Sequence, residues 1–151
     1  MQFSWFKKKS SVRLKHRKRR STPSAKHYSE HKEKAREIVH ARLAHWNQFY
    51  GHAYKRVAIR NQRSRWGSCS SKQNLNFNYR LVFLPLELVD YVVVHELCHL
   101  EHFNHSESFW LTVEKALPDY RVRKEQLHYI SKNMQSYMQA LEAPIALSTS
   151  R

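Results

Sequence analysis

Eleven consecutive residues, His95-Glu96-Leu97-Cys98-His99-Leu100-Glu101-His102-Phe103-Asn104-His105, constrain this chain more than any other stretch. His95 and His99 are four apart and Glu96 follows the first, the H-E-x-x-H pattern of a zinc-bearing metalloprotease helix. Positions i and i+4 share a helix face, so both imidazoles can reach one ion. Val92-Val93-Val94 precedes them, and histidines buried in so apolar a helix would be costly without a partner. With 11 histidines in 151 residues, the motif would arise by chance in about one comparable chain in twenty. With His105 at its offset, the figure is well under one in a hundred.

At ~100° per residue, His95 and His99 stand about 40° apart on the helix wheel. Val89, Val93, Leu97 and Leu100 occupy the adjoining arc and form its buried side. His102 is close to His95 in azimuth but about 10 Å along the axis, which makes it a neighbour of the ion or of a substrate. Asn104 accepts the left-handed conformation that ends a helix, and would turn His105 back as third ligand. Glu107 and Glu114 are the alternative ligands. Three neutral imidazoles suit Zn2+ and leave a fourth position for water. Glu96 then serves as the catalytic general base that moves the proton during peptide-bond hydrolysis. Arg65, Tyr79 and His102 are the candidates for stabilising the oxyanion. Cys98 is read as a packed thiol.

The length suits one domain with a genuine core. No apolar run approaches the ~20 residues of a membrane span, and no secretory stretch follows the first charges. Two cysteines, Cys69 and Cys98, then suggest reduced thiols and a cytoplasmic location. The net charge of +15 is uneven: residues 1–26 hold ten Lys/Arg and no acid, leaving 17 basic against 12 acidic side chains elsewhere. Residues 1–26 are therefore expected to be a disordered basic tail, with residues 7–20 able to touch nucleic acid without sequence preference. The folded domain is expected over residues 27–141, with a frayed tail over 142–151.

Apolar residues at three- and four-residue steps predict a helix from about Tyr28, ended by Gly51. Residues 56–60 alternate as a short strand, and residues 61–70 are turn-rich. Leu75, Phe77, Tyr79, Leu81 and Phe83 predict a nine-residue strand, the two strands together suggesting an antiparallel sheet. The central helix is expected from Pro85 to about Phe103, a second from Ser106 to before Pro118, and a third over residues 119–141. The last would carry Val122, Leu127, Ile130, Met134, Tyr137, Met138 and Leu141 as its apolar stripe.

Four segments carry a resemblance. Arg65-Trp66-Gly67-Ser68-Cys69-Ser70, Leu75-Asn76-Phe77-Asn78, residues 90–100 and Asn104-His105-Ser106-x-x-Phe109-Trp110 resemble the YgjP-like metallopeptidase domain family, which is related to the SprT and Wss zinc proteases. The likeness spans roughly residues 27–130. It implies an α+β, zincin-like fold, a small antiparallel or mixed sheet packed on the H-E-x-x-H helix with further flanking helices. It also implies His95, His99 and His105 as ligands and Glu96 as the catalytic residue. Arg65, Trp66, Gly67 and Ser68 would border the cleft, where backbone can pair with an extended protein or peptide substrate.

Two other functions compete. A metal-dependent ribonuclease would share the spacing H-x3-H-x5-H, but YbeY-like ribonucleases resemble H-G-x-x-H-x-x-G, where this chain has Glu96 and His102. A non-catalytic nucleic-acid-binding protein with structural zinc would suit the basic tail, but leaves Glu96 without a purpose.

Overall fold

Ten of the thirteen residues of one helix, Leu86–Cys98, are buried, and the rest of the fold is arranged to cover it. The computed structural model describes residues 25–143. The expected tails, 1–26 and 142–151, lie almost entirely outside the described residues. Helix α1 runs Ala25–Tyr50, followed by strands β1 Arg56–Arg60, β2 Gly67–Cys69 and β3 Asn74–Asn78. A 3-10 helix, Tyr79–Phe83, leads to α2 Leu86–Cys98, and α3 Glu107–Ala116, α4 Tyr120–Lys132 and α5 Met134–Glu142 complete the α+β fold.

Helix α1 buries Ala35, Val39 and Leu43 at four-residue steps in the same core cluster as Leu88, Val89, Val93 and Leu97 of α2. Burying each large aliphatic side chain stabilises by about 1.5–3 kcal/mol. Between the two helices, Arg42 grips Asp90 with two hydrogen bonds, the Nη2–Oδ2 one at 3.0 Å. Gly51 ends α1 as predicted: its φ of 66° is left-handed, and its N–H donates to Asn47 O at 2.8 Å.

The sheet departs from the expected antiparallel pairing of residues 56–60 with residues 75–83. Its order is β1-β3-β2, with β1 parallel to β3, Ile59 opposite Phe77, and β2 antiparallel to β3, Gly67 opposite Phe77. The turn-rich stretch holds the missing strand. A tight turn at residues 70–73, with Gln73 at φ 61°, pairs β2 with β3, leaving β1 the far side of β3.

The predicted nine-residue strand stops at Asn78. That side chain is buried, donates Nδ2 to Gln62 O (2.7 Å) and Arg65 O (2.8 Å), and accepts from Arg80 N. Such local bonding competes with the ladder, and the chain winds into the 3-10 helix, with Tyr79 and Leu81 still fully buried. The same bonds hold residues 62–66 in place beside β2.

Two helix limits also differ. Helix α2 ends at Cys98 rather than near Phe103, and Asn104 is not in the left-handed region. The chain instead leaves α2 through tight turns, Leu100 N–H to Leu97 O and Glu101 N–H to Cys98 O. The expected helix over 119–141 breaks at Asn133, whose backbone leaves helical geometry and whose Nδ2 donates to Tyr129 O at 2.9 Å. Leu127 and Ile130 are buried as expected, whereas Val122 and Leu141 are exposed.

Candidate metal centre and catalytic cleft

His95 lies in the last turn of α2, and His99 caps it with φ −68° and ψ −15°, still helical. Their shared face therefore survives the early end of the helix. The turn that follows brings residue 105 back across that face, and Ser106 caps α3 by accepting from Phe109 N–H. His95 Nε2 lies 3.1 Å from His99 Nε2, His99 Nε2 is 3.1 Å from His105 Nε2, and His105 Nε2 is 3.0 Å from His95 Nε2.

Phe109, fully buried, lies behind all three rings, with centroid separations of 4.9, 4.6 and 4.9 Å. Trp110 stacks on His105 at 5.6 Å and on Tyr120 at 5.2 Å. These aromatics restrict ring rotation. The His102 carbonyl lies 2.8 Å from His99 Nδ1. A carbonyl only accepts, so Nδ1 carries a proton, the tautomer that in a neutral ring turns the Nε2 lone pair to the cluster.

The three nitrogens suit a cation well. Ligands ~2.0–2.1 Å from a tetrahedral ion stand about 3.3 Å apart, close to the observed triangle. His95, His99 and His105 form a cluster able to hold a metal ion. Among the described residues, neither Glu107 nor Glu114 joins a cluster of this kind. Burial, followed by the charges of His99, His105 and Lys124, pushes the His95 pKa down to about 3. His105 is lowered chiefly by burial as well. Both rings are thus neutral, the ligating form, at ordinary pH.

Glu96 follows His95 and packs against β2 at Gly67, lining the same pocket as His95. It is buried, and burial pushes its pKa up to about 8, with the charge of Arg65 working the other way. Its Oε2 is buried without a hydrogen-bond partner among the described residues. Such an orphan costs about 1–3 kcal/mol, and an acceptor left so is ready for a proton donor. The close neighbour is Gly67, where an added Cβ would stand 2.6 Å from Glu96 Oε1.

Arg65, Trp66, Gly67, Tyr91, Val92, His95, Glu96 and Leu127 line a pocket of about 240 Å³. It joins a cleft of about 630 Å³ through Trp66, Tyr91 and Leu127, walled by Trp110 and α4. Three of the four residues expected to border a cleft, Arg65, Trp66 and Gly67, are thus brought to His95 and Glu96. Ser68 does not line the pocket; its hydroxyl bonds Asn76 on β3 at 3.3 Å. The His102 ring turns to Thr112 Oγ1 at 3.2 Å, and only its carbonyl serves the cluster. Tyr79 is buried, with its hydroxyl 2.9 Å from His27 Nδ1, far from an oxyanion role. Cys98 is fully buried as expected.

Sequence reasoning missed Tyr91, Trp110 and Lys124 as parts of the cleft. Tyr91 carried a usable signal: it precedes His95 by four residues and so shares its face. Nothing local marked Lys124.

The YgjP-like metallopeptidase domain matches residues 1–129. The chain belongs to the YgjP-like family. The match starts at residue 1, and so takes in the basic segment that the motifs alone left outside. Among solved structures, the chain is similar to the metallopeptidase zymogen abylysin of Pyrococcus abyssi. The identity is 28%, over 62% of this chain and 93% of that one, with a TM-score of 0.54. The metallopeptidase zymogen jannalysin of Methanocaldococcus jannaschii is 22% identical over 65% of this chain and 95% of that one, TM-score 0.48. No curated protein matches this chain. Membership of the YgjP-like family and the likeness to abylysin support a metal-dependent peptidase acting on proteins or peptides. No helix among the described residues is long and apolar enough to cross a membrane.

Proposed function

We propose that this YgjP-like protein is a zinc peptidase in which His95, His99 and His105 hold Zn2+ and Glu96 is the general base. The observation that carries the reading is the 3.0–3.1 Å triangle of Nε2 atoms beside a buried carboxylate with an unpartnered oxygen. Three imidazoles suit zinc better than magnesium or calcium, which prefer oxygen ligands. When bound, the metal would polarise the scissile carbonyl and make water acidic enough to lose a proton near neutrality.

The protein's own groups do the rest. Glu96 accepts a proton from the water attacking the scissile carbonyl carbon, then delivers it to the departing amide nitrogen. A cation in the imidazole cluster favours ionised Glu96, offsetting the burial that raises its pKa. The free edge of β2 accepts an extended substrate backbone beside Gly67, while Trp66 and Tyr91 exclude water from the pocket. Arg65, on the Glu96 side, is the cation placed to meet developing negative charge on the carbonyl oxygen. The two free thiols, Cys69 and Cys98, suit a reducing cytoplasm. The basic residues within 7–20 supply non-specific contact with nucleic acid.

The deciding experiment compares hydrolysis of a casein-derived peptide mixture by zinc-loaded, chelated and Glu96→Gln protein. Cleavage by the zinc-loaded protein alone supports the reading; equal cleavage by all three sinks it.

A further inference from the structure

The catalytic pocket adjoins two hollows, and cations dominate both. The cleft along α4 carries Arg121 and Lys124 against a single carboxylate, Glu125. The second hollow, about 430 Å³, holds Arg63, Arg65 and Arg80 with no carboxylate. It meets the catalytic pocket at Arg65 and Trp66.

Most of these charges form no ion pair within the fold, although Arg65 acts on the buried Glu96 and Arg121 on Glu114 through space. On α1, Lys26, Lys34 and Arg36 each pair with a glutamate, and on α4 itself Arg123 pairs with Asp119. Among the described residues, Arg63, Arg65, Arg121 and Lys124 have no carboxylate within ion-pair distance. Aromatic faces hold two of them instead. Lys124 Nζ is 4.2 Å from the centre of the Trp110 ring, the ring that stacks on His105. The Arg121 guanidinium lies 5.6 Å from that of Tyr120, and its Nε donates to the Tyr120 hydroxyl at 3.2 Å. Arg80 is different, because its Nη2 bonds the carbonyls of Gln62 and Arg63. An ordinary solvated face would scatter its lysines and arginines among acids. Here cations with no ion-pair partner gather on the walls around Glu96 and the imidazole cluster.

We propose that the cleft selects acidic peptides, with Lys124 and Arg121 receiving a carboxylate side chain beside the scissile bond and Arg63, beyond Arg65 in the second hollow, a further one. The inference rests on the peptidase reading and names its substrate class. A peptide is favoured over a nucleic acid strand because β2 offers a backbone edge beside Gly67. Side-chain carboxylates are favoured over a chain end because cations border the pocket through both hollows.

The test uses zinc-loaded full-length protein and end-capped peptides identical except for Glu, Gln or Lys at positions flanking the cut. Exposed ion pairs supply modest discrimination, so kcat/KM for Glu should exceed that for Gln by about threefold to tenfold, with Lys lower still. The gap should narrow in 0.5 M salt, where the screening length falls to roughly 4 Å. Lys124→Glu with Arg121→Glu should invert the order. Equal kcat/KM for all three peptides overturns the inference while leaving the peptidase reading intact. Faster cleavage of an uncapped Gln peptide than of the capped Glu peptide also overturns it, assigning the cations to a terminal carboxylate. If no peptide is cut, the peptidase reading fails, and fluorescence anisotropy of the labelled peptides decides the cleft's chemistry. Tighter binding of Glu peptides, lost in the charge-reversed variant, then supports an acidic ligand; equal binding excludes one. A single-stranded oligonucleotide displacing the Glu peptide from wild-type protein but not from the variant would overturn it in favour of phosphates.

Discussion

Gly67 and Glu96 meet so closely that residue 67 has no room for a side chain: a Cβ there would stand 2.6 Å from Oε1 and 2.7 Å from Cγ of Glu96. The edge strand of the sheet and the carboxylate beside the imidazole cluster are thus set against each other. Gly67→Ala should displace Glu96 or β2 by a few tenths of an ångström or more, lowering kcat by about 100-fold, as misplacing catalytic groups does. Zinc content should stay at one per chain. An alanine variant with wild-type turnover would show that Glu96 needs no such fit.

Glu96→Gln preserves shape and removes the proton acceptor. Peptide hydrolysis should fall by about 10²–10⁴-fold, with zinc retained when measured by atomic emission. Undiminished turnover would remove Glu96 from the mechanism.

His105 stands outside the helix that carries His95 and His99, so its contribution can be tested alone. His105→Ala should lower zinc stoichiometry in dialysed protein and abolish hydrolysis. Zinc content equal to wild type would place the third ligand elsewhere.

Acidity should act on the metal-free protein through two opposed groups. Glu96, with its pKa raised from 4.5 to about 8, holds in the folded state a proton that the unfolded chain releases. Its contribution is full below 4.5 and lost as pH rises to 8. His95, lowered from 6.5 to about 3, opposes this, with stability lost as pH falls from 6.5 towards 3. Glu96→Gln removes only the first effect. Its Tm without metal should therefore exceed that of wild type at pH 8, the difference shrinking towards zero near pH 4.5. A difference that does not vary with pH would refute the burial argument.

Arg42 and Asp90 form a paired contact between α1 and α2, side chains 22% and 11% exposed. Arg42→Ala leaves the Asp90 carboxylate without its partner and should cost about 3–5 kcal/mol in urea unfolding. Replacing both by Leu should recover most of that loss. A single variant as stable as the double would mean that the carboxylate finds other solvation.

How much of this was legible in the chain follows from how local each relationship is. His95, Glu96 and His99 could be placed from sequence because the 3.6-residue period fixes their directions within one turn, a period that neither the early end of α2 nor the neighbouring sheet alters. His105 needed only a short excursion, and was found by its offset. The motif segments also placed Arg65, Trp66 and Gly67 at the cleft. The direction of the sheet was not legible, because β1 and β3 are joined through a strand of three residues, too short for alternation to show. Nor was the end of β3, where the pattern of Tyr79, Leu81 and Phe83 suits a strand and buried Asn78 decides otherwise through partners thirteen and sixteen residues away. The Lys124 ammonium reaches the cleft only because α4 packs on α2 and Trp110 stacks on His105, contacts between segments remote in sequence. Short-range periodicity thus determined from sequence alone the helix face that His95 and His99 share. The tertiary structure decided what surrounds it, because non-local packing sets which side chains converge and what charge they present.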